Sequence, residues 1–172
     1  MTILALDLAK TIGWARSTTR APIIGSRTFE GRKPLADFRV WLNAEIVQHR
    51  VETLAIEGIF VGMNSQSALT LALMHGVAHE VGQSRNLRIM VVTQSEWRKH
   101  FFGAYSVPKG LTKDKRSRWL KNKAKQMCER KGWYVQNADQ ADAAGILDFA
   151  LATLDPHYGV ASAPLFDQMG AI

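Results

Sequence analysis

The chain has a single cysteine, Cys128, among 172 residues. A lone thiol can form neither an internal disulfide nor a multi-thiolate metal site, which excludes a disulfide-stapled secreted scaffold and points to a reducing compartment. No apolar stretch approaches the roughly 18 residues of a membrane span. The N-terminus also lacks the basic region, apolar run and small-residue cleavage site of a secretory signal. Membrane and secretory classes are therefore not expected, and the cytoplasm is. Five prolines and 13 glycines are too few for a collagen-like or low-complexity chain. What is present is ordinary for a globular protein: 47% hydrophobic and 22% charged residues, in a length that suits one domain with a sizeable core.

Acidic residues are scarce in one place. Between Lys109 and Lys131 there are 10 basic residues against Asp114 and Glu129, a net charge of +8, whereas the rest of the chain sums to −1. One segment thus creates the whole formal charge of +7. A solvated helix face is the plain reading of such a run, but charge this localised points to a polyanion, and nucleic acid is the polyanion expected.

The hydrophobic pattern predicts strands over 2–8, 13–18 and 23–29, separated by a turn around Ala9 to Ile12 and by Pro22, as in an antiparallel meander. Leu35, Phe38, Leu42, Ile46 and Val47 then recur at helical steps. A fourth strand follows over 53–60. Ser65 or Ser67 opens a long helix to about Gly82, and 87–93 reads as a β-branched strand. Thr93 with Glu96 forms a capping box for a short helix that Gly103 stops. After a loop, Leu120, Ala124, Met127 and Cys128 mark one stripe of a helix over 113–131, with lysines on the other face. An alanine-rich helix runs from Ala138 to Leu154. The expected fold is α/β with a five-stranded mixed sheet between helices. Residues 1–155 form the domain and 156–172 a C-terminal tail.

Asp7 ends the run Ile3, Leu4, Ala5, Leu6, and Glu57 ends Leu54, Ala55, Ile56, so two carboxylates close strands otherwise suited to full burial. Burying an unpaired carboxylate costs several kcal/mol, so such acids pair with a cation, bind a metal or emerge into a cleft. For either acid alone a structural ion pair is the plainer reading. Asp139 and Asp142 add a second pair, three residues apart on one helix face. Four carboxylates converging on one cleft offer hard oxygen ligands suited to Mg²⁺ or Mn²⁺. Two such ions activate a water and stabilise the leaving 3′ oxygen in phosphodiester hydrolysis, and the basic segment would hold the backbone.

With these residues the sequence resembles the RuvC family of Holliday-junction resolvases, metal-dependent endonucleases of the ribonuclease H superfamily. The family's four acids fall on Asp7, Glu57, and the Asp139 and Asp142 of NADQADAAGILDFAL, in the family's order. The stretch IEGIFVGMNSQSALTLALMHGVA matches the family segment that leads from the catalytic Glu through an aromatic, here Phe60, into the next helix. The resemblance spans roughly residues 1 to 155. It implies a ribonuclease H-like fold, a homodimer, two Mg²⁺ ions per site with Mn²⁺ as a substitute, and paired nicks across a four-way DNA junction. It further implies that Phe60 stacks on bases and that Arg98, Lys113, Lys115, Arg116 and Arg118 hold phosphates. The segment from Trp97 to Gly132, with EWRKHFFG and its dense lysines, is similar to phage-type members. The same four acids also suit a ribonuclease H acting on RNA–DNA hybrids, and a binder of the same fold without turnover is the rival from outside the enzymes.

Other residues draw plainer readings. Asp7 to Thr11 resembles the phosphate-binding opening of actin-like sugar kinases, but Ala9 stands where that motif has glycine. His75 and His79 lack the Glu of a zinc-protease motif and read as helix-surface or dimer-interface residues. Trp119 and Leu120 are expected to pack the basic helix onto the sheet, and Cys128 to be an inert thiol. Leu165 and Phe166 in the tail are candidates for docking a replication or recombination protein.

Overall fold

The computed structural model of the chain describes residues 1–59, 65–103 and 105–158. Its strands are β1 (Ile3–Asp7), β2 (Thr11–Arg16), β3 (Ile23–Thr28), β4 (Thr53–Glu57) and β5 (Arg88–Val92). Its helices are α1 (Pro34–His49), α2 (Ser65–Ser84), α3 (Gln94–Phe102), α4 (Lys113–Arg130) and α5 (Ala138–Leu154). The strands form one mixed sheet in the order β3-β2-β1-β4-β5, antiparallel on the β3-β2-β1 side and parallel on the β1-β4-β5 side. The short apolar runs of β1 and β4 take the two most enclosed places, with Ile3 to Leu6 and Leu54 to Ile56 fully buried. Strands covered on both faces read as unbroken hydrophobic runs for this reason.

Period-two alternation divides the core. Leu4, Leu6, Ile12, Leu54 and Ile56 point to one face, where Phe38, Trp41, Leu42 and Ile46 of α1 and Met74, Ala78 and Val81 of α2 cover them. Ile3, Ala5, Ala15 and Ala55 point to the other face and pack beneath α5, with α3 and α4 outside it. Helix α5 has Ala141, Ala143, Ala144, Ile146, Leu147 and Ala150 buried around much of its circumference, the composition of a central helix rather than an amphipathic one.

The meander, the antiparallel pairing and every helix agree with the sequence pattern, with local differences. β2 begins at Thr11 rather than Gly13, because Ile12 is drawn into the α1 side of the core and Thr11 pairs with Thr28. Strand β4 ends at Glu57, after which the Gly58 N–H still donates to the Val92 carbonyl at 2.8 Å. On α1 the buried stripe is Phe38, Trp41, Leu42 and Ile46, and Val47 is exposed because it falls a further 100° around the helix. Among the described residues, no helix is long and apolar enough to cross a membrane. Leu165 and Phe166 lie outside the described residues, whereas Tyr158 packs back on the domain by donating its hydroxyl to Asp148 at 2.6 Å.

Candidate active site

Asp7 and Glu57 lie one step beyond Leu6 and Ile56, the last residues that β1 and β4 pair with each other. Alternation from Ala5 and Ala55 turns both carboxylates to the α5 face. On that face Asn137 caps α5, its side-chain oxygen accepting the Gln140 N–H at 2.9 Å, which sets Asp139 in the first turn and Asp142 one turn on. Both Asn137 and Gln140 also donate to the Ser26 hydroxyl of β3, at 2.9 and 3.1 Å, and so tie the start of the helix to the sheet.

Gly13 completes the placement. It is the register partner of Asp7, and a Cβ built on it would sit 1.9 Å from the Asp139 carbonyl oxygen. The backbone of α5 therefore rests on the strand position beside Asp7, an approach only glycine permits. Gly13→Ala is expected to displace the first turn of α5, lowering stability by about 1–3 kcal/mol through overpacking and reducing the turnover of any reaction that uses Asp7 and Asp139 together, at temperatures where the variant remains folded. Thermal melts and cleavage rates measured together check this.

The electrostatics express the crowding of like charge. Burial first, and then the charges of Glu57, Asp142 and Asp139, push the Asp7 carboxyl well above its ordinary range, against a smaller opposing pull from Lys121. Asp142 is raised to about 7, chiefly by burial, with Arg98 and Lys121 resisting and Glu57 and Asp139 adding to it. The Arg98 guanidinium stands 3.9 Å from Asp142 Oδ2, and Asp142 Oδ1 is buried with no hydrogen-bond partner. Among the described residues, no three His, Cys, Asp or Glu side chains are already gathered into a metal-holding group. The donor set nevertheless fits a divalent cation: hard carboxylate oxygens, one orphaned in a buried position, in a neighbourhood whose negative charge the nearby Lys121 and Arg98 leave incompletely balanced.

The basic residues separate into two groups. Lys113, Lys115, Arg116 and Arg118 are exposed along the first half of α4. Arg98 is not among them, because its side chain is only 13% exposed and lies between Asp142 and the Trp97 ring, with its Nε buried and unpartnered. It belongs to the acid cluster rather than to an open phosphate surface. Phe60 lies outside the described residues. Beside α3, a cavity of about 1010 Å³ is lined by Lys99, Lys109 and Arg116, with no carboxylate among the described residues of its lining.

Two neighbours of the acids were not singled out from sequence as part of the site. Lys121 acts on both Asp7 and Asp142. A signal for it existed: it lies three and seven residues before Ala124 and Cys128, on the same side of α4 as these buried residues although itself exposed. Trp97 is fully buried and donates its indole N–H to Glu57 Oε1 at 2.8 Å. Nothing in the local pattern distinguishes it from a packing aromatic.

The plainer candidates resolve on contacts. Trp119 stacks on Tyr105 with ring centroids 6.2 Å apart, and Leu120 packs against the α5-side core. Cys128 is buried, and its thiol is pushed up to about 12, chiefly by burial. The rings of His75 and His79 stack at 6.5 Å. His75 is not a surface residue but buried, and desolvation followed by the His79 charge lowers it to about 4.

Comparison with known proteins bears on the family and the fold. The profile of the family described as crossover junction endodeoxyribonuclease RuvC matches residues 19–131, a span that includes Glu57 and the basic α4. No curated protein sequence matches the chain. Among solved structures, RuvC of Thermus thermophilus superposes with a TM-score of 0.62 at 12% identity, over 89% of this chain and 96% of that one. The T. thermophilus RuvC in complex with a Holliday junction substrate gives 0.61 at 10% identity, covering 90% and 96%. The fowlpox virus Holliday junction resolvase gives 0.56 at 10% identity, covering 90% of this chain and all of that one. At such identities the likeness is one of fold, the ribonuclease H-like sheet with its flanking helices. With the family profile covering more than half of its length, the chain belongs to the RuvC family of crossover junction endodeoxyribonucleases.

Proposed function

We propose that the protein is a cytoplasmic, homodimeric nuclease that resolves four-way DNA junctions by paired symmetric nicks, with Asp7, Glu57, Asp139 and Asp142 holding two Mg²⁺ ions for which Mn²⁺ can substitute. RuvC-family nucleases are metal-dependent. What supports the reading is that Asp7 and Glu57 close adjacent parallel strands and the start of α5 rests on Gly13, the register partner of Asp7, so that the other three acids all raise Asp7. When bound, the metals supply an activated water and stabilisation of the leaving oxygen. The residues of this chain supply the rest. Asp7 and Glu57, on adjacent rigid strands, set the spacing of the donor oxygens, while Asp139 and Asp142 close the cluster from the helix. Lys121 and Arg98 limit the repulsion among the acids. The exposed cations of α4 hold phosphates leading into the cleft. The exposed Leu69 and Leu73, four residues apart on α2, offer an apolar strip for pairing two copies.

The test is incubation with a labelled mobile four-way junction in Mg²⁺ and in EDTA, beside a linear duplex and an RNA–DNA hybrid. Paired symmetric nicks confined to the junction and dependent on Mg²⁺ are expected. Junction binding without cleavage would instead identify a binder, and hybrid-only cutting a ribonuclease H.

The phosphate clamp has a separate signature. If about four phosphates are neutralised, junction affinity should fall about 10²-fold between 50 and 200 mM salt. Replacing Lys115 and Arg116 by Ala should reduce the slope of log affinity against log salt by about two. A salt titration by gel shift in EDTA measures both, and an unchanged slope would remove α4 from the interface.

A further inference from the structure

From the geometry we infer that Trp97 is a positioning residue for Glu57, holding one carboxylate oxygen so that the rest of the group faces the cleft in a single orientation; the inference rests on Glu57 being one of the catalytic acids.

Glu57 is the last residue of β4, and a glutamate side chain there has three rotatable bonds whose freedom must be restricted before its oxygens can serve as fixed donors. The Trp97 indole supplies that restriction at Oε1, with a 2.8 Å hydrogen bond. An indole N–H is donor only and neither titrates nor ligates a metal, so its role is to orient. A hydrogen bond to an ionised acceptor is short and strong, and the donor has no water to turn to, because Trp97 is fully buried.

The ring is itself immobilised. β5 pairs with β4 through Glu57 and Val92, and Thr93 follows at once as the cap of α3. The capping box is complete: the Thr93 hydroxyl accepts the Glu96 N–H at 3.3 Å, and Glu96 Oε2 accepts the Thr93 N–H at 2.8 Å. Trp97 is therefore delivered in the first turn of a helix anchored beside Glu57. Phe101 and Phe102 pack at ring distances of 6.4 and 5.7 Å. Against this cluster α5 carries Gly145, where a Cβ would lie 2.7 Å from the indole ring carbons and 3.0 Å from the Phe101 ring. The helix that brings Asp139 and Asp142 thus makes room, by omitting a side chain, for the ring that holds Glu57.

Outer partners of metal-binding groups typically change activity or metal affinity by about 10- to 100-fold when removed. Trp97→Phe keeps an aromatic ring and removes the N–H. It should lower kcat for junction cleavage by that factor and raise the Mg²⁺ concentration needed for half-maximal rate, leaving junction affinity in EDTA unchanged. Unaltered cleavage and Mg²⁺ requirement in a folded Trp97→Phe protein would overturn the inference. A readout independent of that variant's folding is the indole N–H resonance of the metal-free wild type. Of the five tryptophans, one should give a downfield, exchange-protected signal that moves on Glu57→Gln and again on Mg²⁺ addition. If no indole signal responds to Glu57→Gln, the contact is absent and the inference fails. Glu57→Gln also separates the two ideas: if it cleaves normally, Glu57 is not catalytic, whereas loss of cleavage with a normal Trp97→Phe leaves Glu57 in the site without this support.

Discussion

Replacing Asp7 by Asn is expected to slow junction cleavage by at least about 10³-fold, equivalent to about 4 kcal/mol of transition-state stabilisation, while making the metal-free protein more stable. The two effects share one cause. Asp7 is half-buried at the end of its strand, within electrostatic reach of three other carboxylates, and its ionised form is disfavoured until a cation joins them. The sign of the pH dependence follows. Asp7 and Asp142 have folded-state pKa values above their ordinary ones, so between the ordinary carboxylate range and the raised value the folded protein binds more protons than the unfolded chain. Stability from these groups accordingly falls as pH rises through that window. For Asp142, a rise from 3.8 to about 7 corresponds to on the order of 4 kcal/mol. Metal-free wild type should melt lower at pH 8 than at pH 5.5. Mg²⁺ should recover much of the loss at pH 8, and Asp7→Asn should reduce it without metal. Cleavage assays, gel shifts in EDTA and melts at the two pH values measure all of this. Retained cleavage, or a lower melting temperature for Asp7→Asn at pH 8, would contradict the assignment of Asp7 to a charge-crowded metal site.

A second carboxylate on α5 should behave in the opposite way. Asp148 is almost fully buried, yet it accepts from the Tyr158 hydroxyl at 2.6 Å, lies 2.9 Å from Lys131 Nζ, and meets His100 Nε2 at 3.0 Å. Burial pushes its pKa up, but the His100 hydrogen bond, the Lys131 charge and the Tyr158 hydrogen bond together outweigh burial and leave it below the ordinary value. This carboxylate joins α3, the C-terminal end of α4 and the residues after α5 at one point. Asp148→Ala is expected to cost about 3–5 kcal/mol, since it leaves a partly buried ammonium and two hydrogen-bonding groups without their partner. Asp148→Asn should cost less, because an amide still accepts. A depressed folded pKa contributes stability above the unfolded value, and that contribution is lost as pH falls through the folded one. The Asp148 network therefore protects the protein at neutral pH and fails in acid, whereas the acid cluster costs stability at neutral pH. Chemical denaturation as a function of pH should show the wild-type optimum displaced to mildly acidic pH in EDTA and towards neutrality in Mg²⁺. Loss of less than about 1 kcal/mol in Asp148→Ala would show that the network contributes little.

The amino-acid sequence alone determined the order of strands and helices, because each signal was local: buried runs ending in Asp7 and Glu57, the Thr93–Glu96 capping box, the alanine-rich run from Ala138 to Leu154 and the stripe of Ala124 and Cys128. It also determined which acids to suspect, since a carboxylate closing an apolar strand is anomalous wherever the strand lies. Its departures are local too: the helical steps of α1 take in Val47, which is exposed, and pass over Trp41, which is buried, because a spacing of three or four residues marks a band rather than a line. Only the tertiary structure brought these acids within electrostatic reach of one another, through the parallel pairing of β1 with β4 and the contact of Asp139 with Gly13. It likewise decided the roles of Arg98, Lys121, Trp97 and Asp148. A sequence records what a side chain can donate or accept, but the partner of an indole 40 residues from Glu57, or of a hydroxyl ten residues beyond Asp148, is set by the packing of helices on the sheet. Charge and hydrogen bonding act across space, so the residues that orient and balance the acids became visible only when the chain had brought them together.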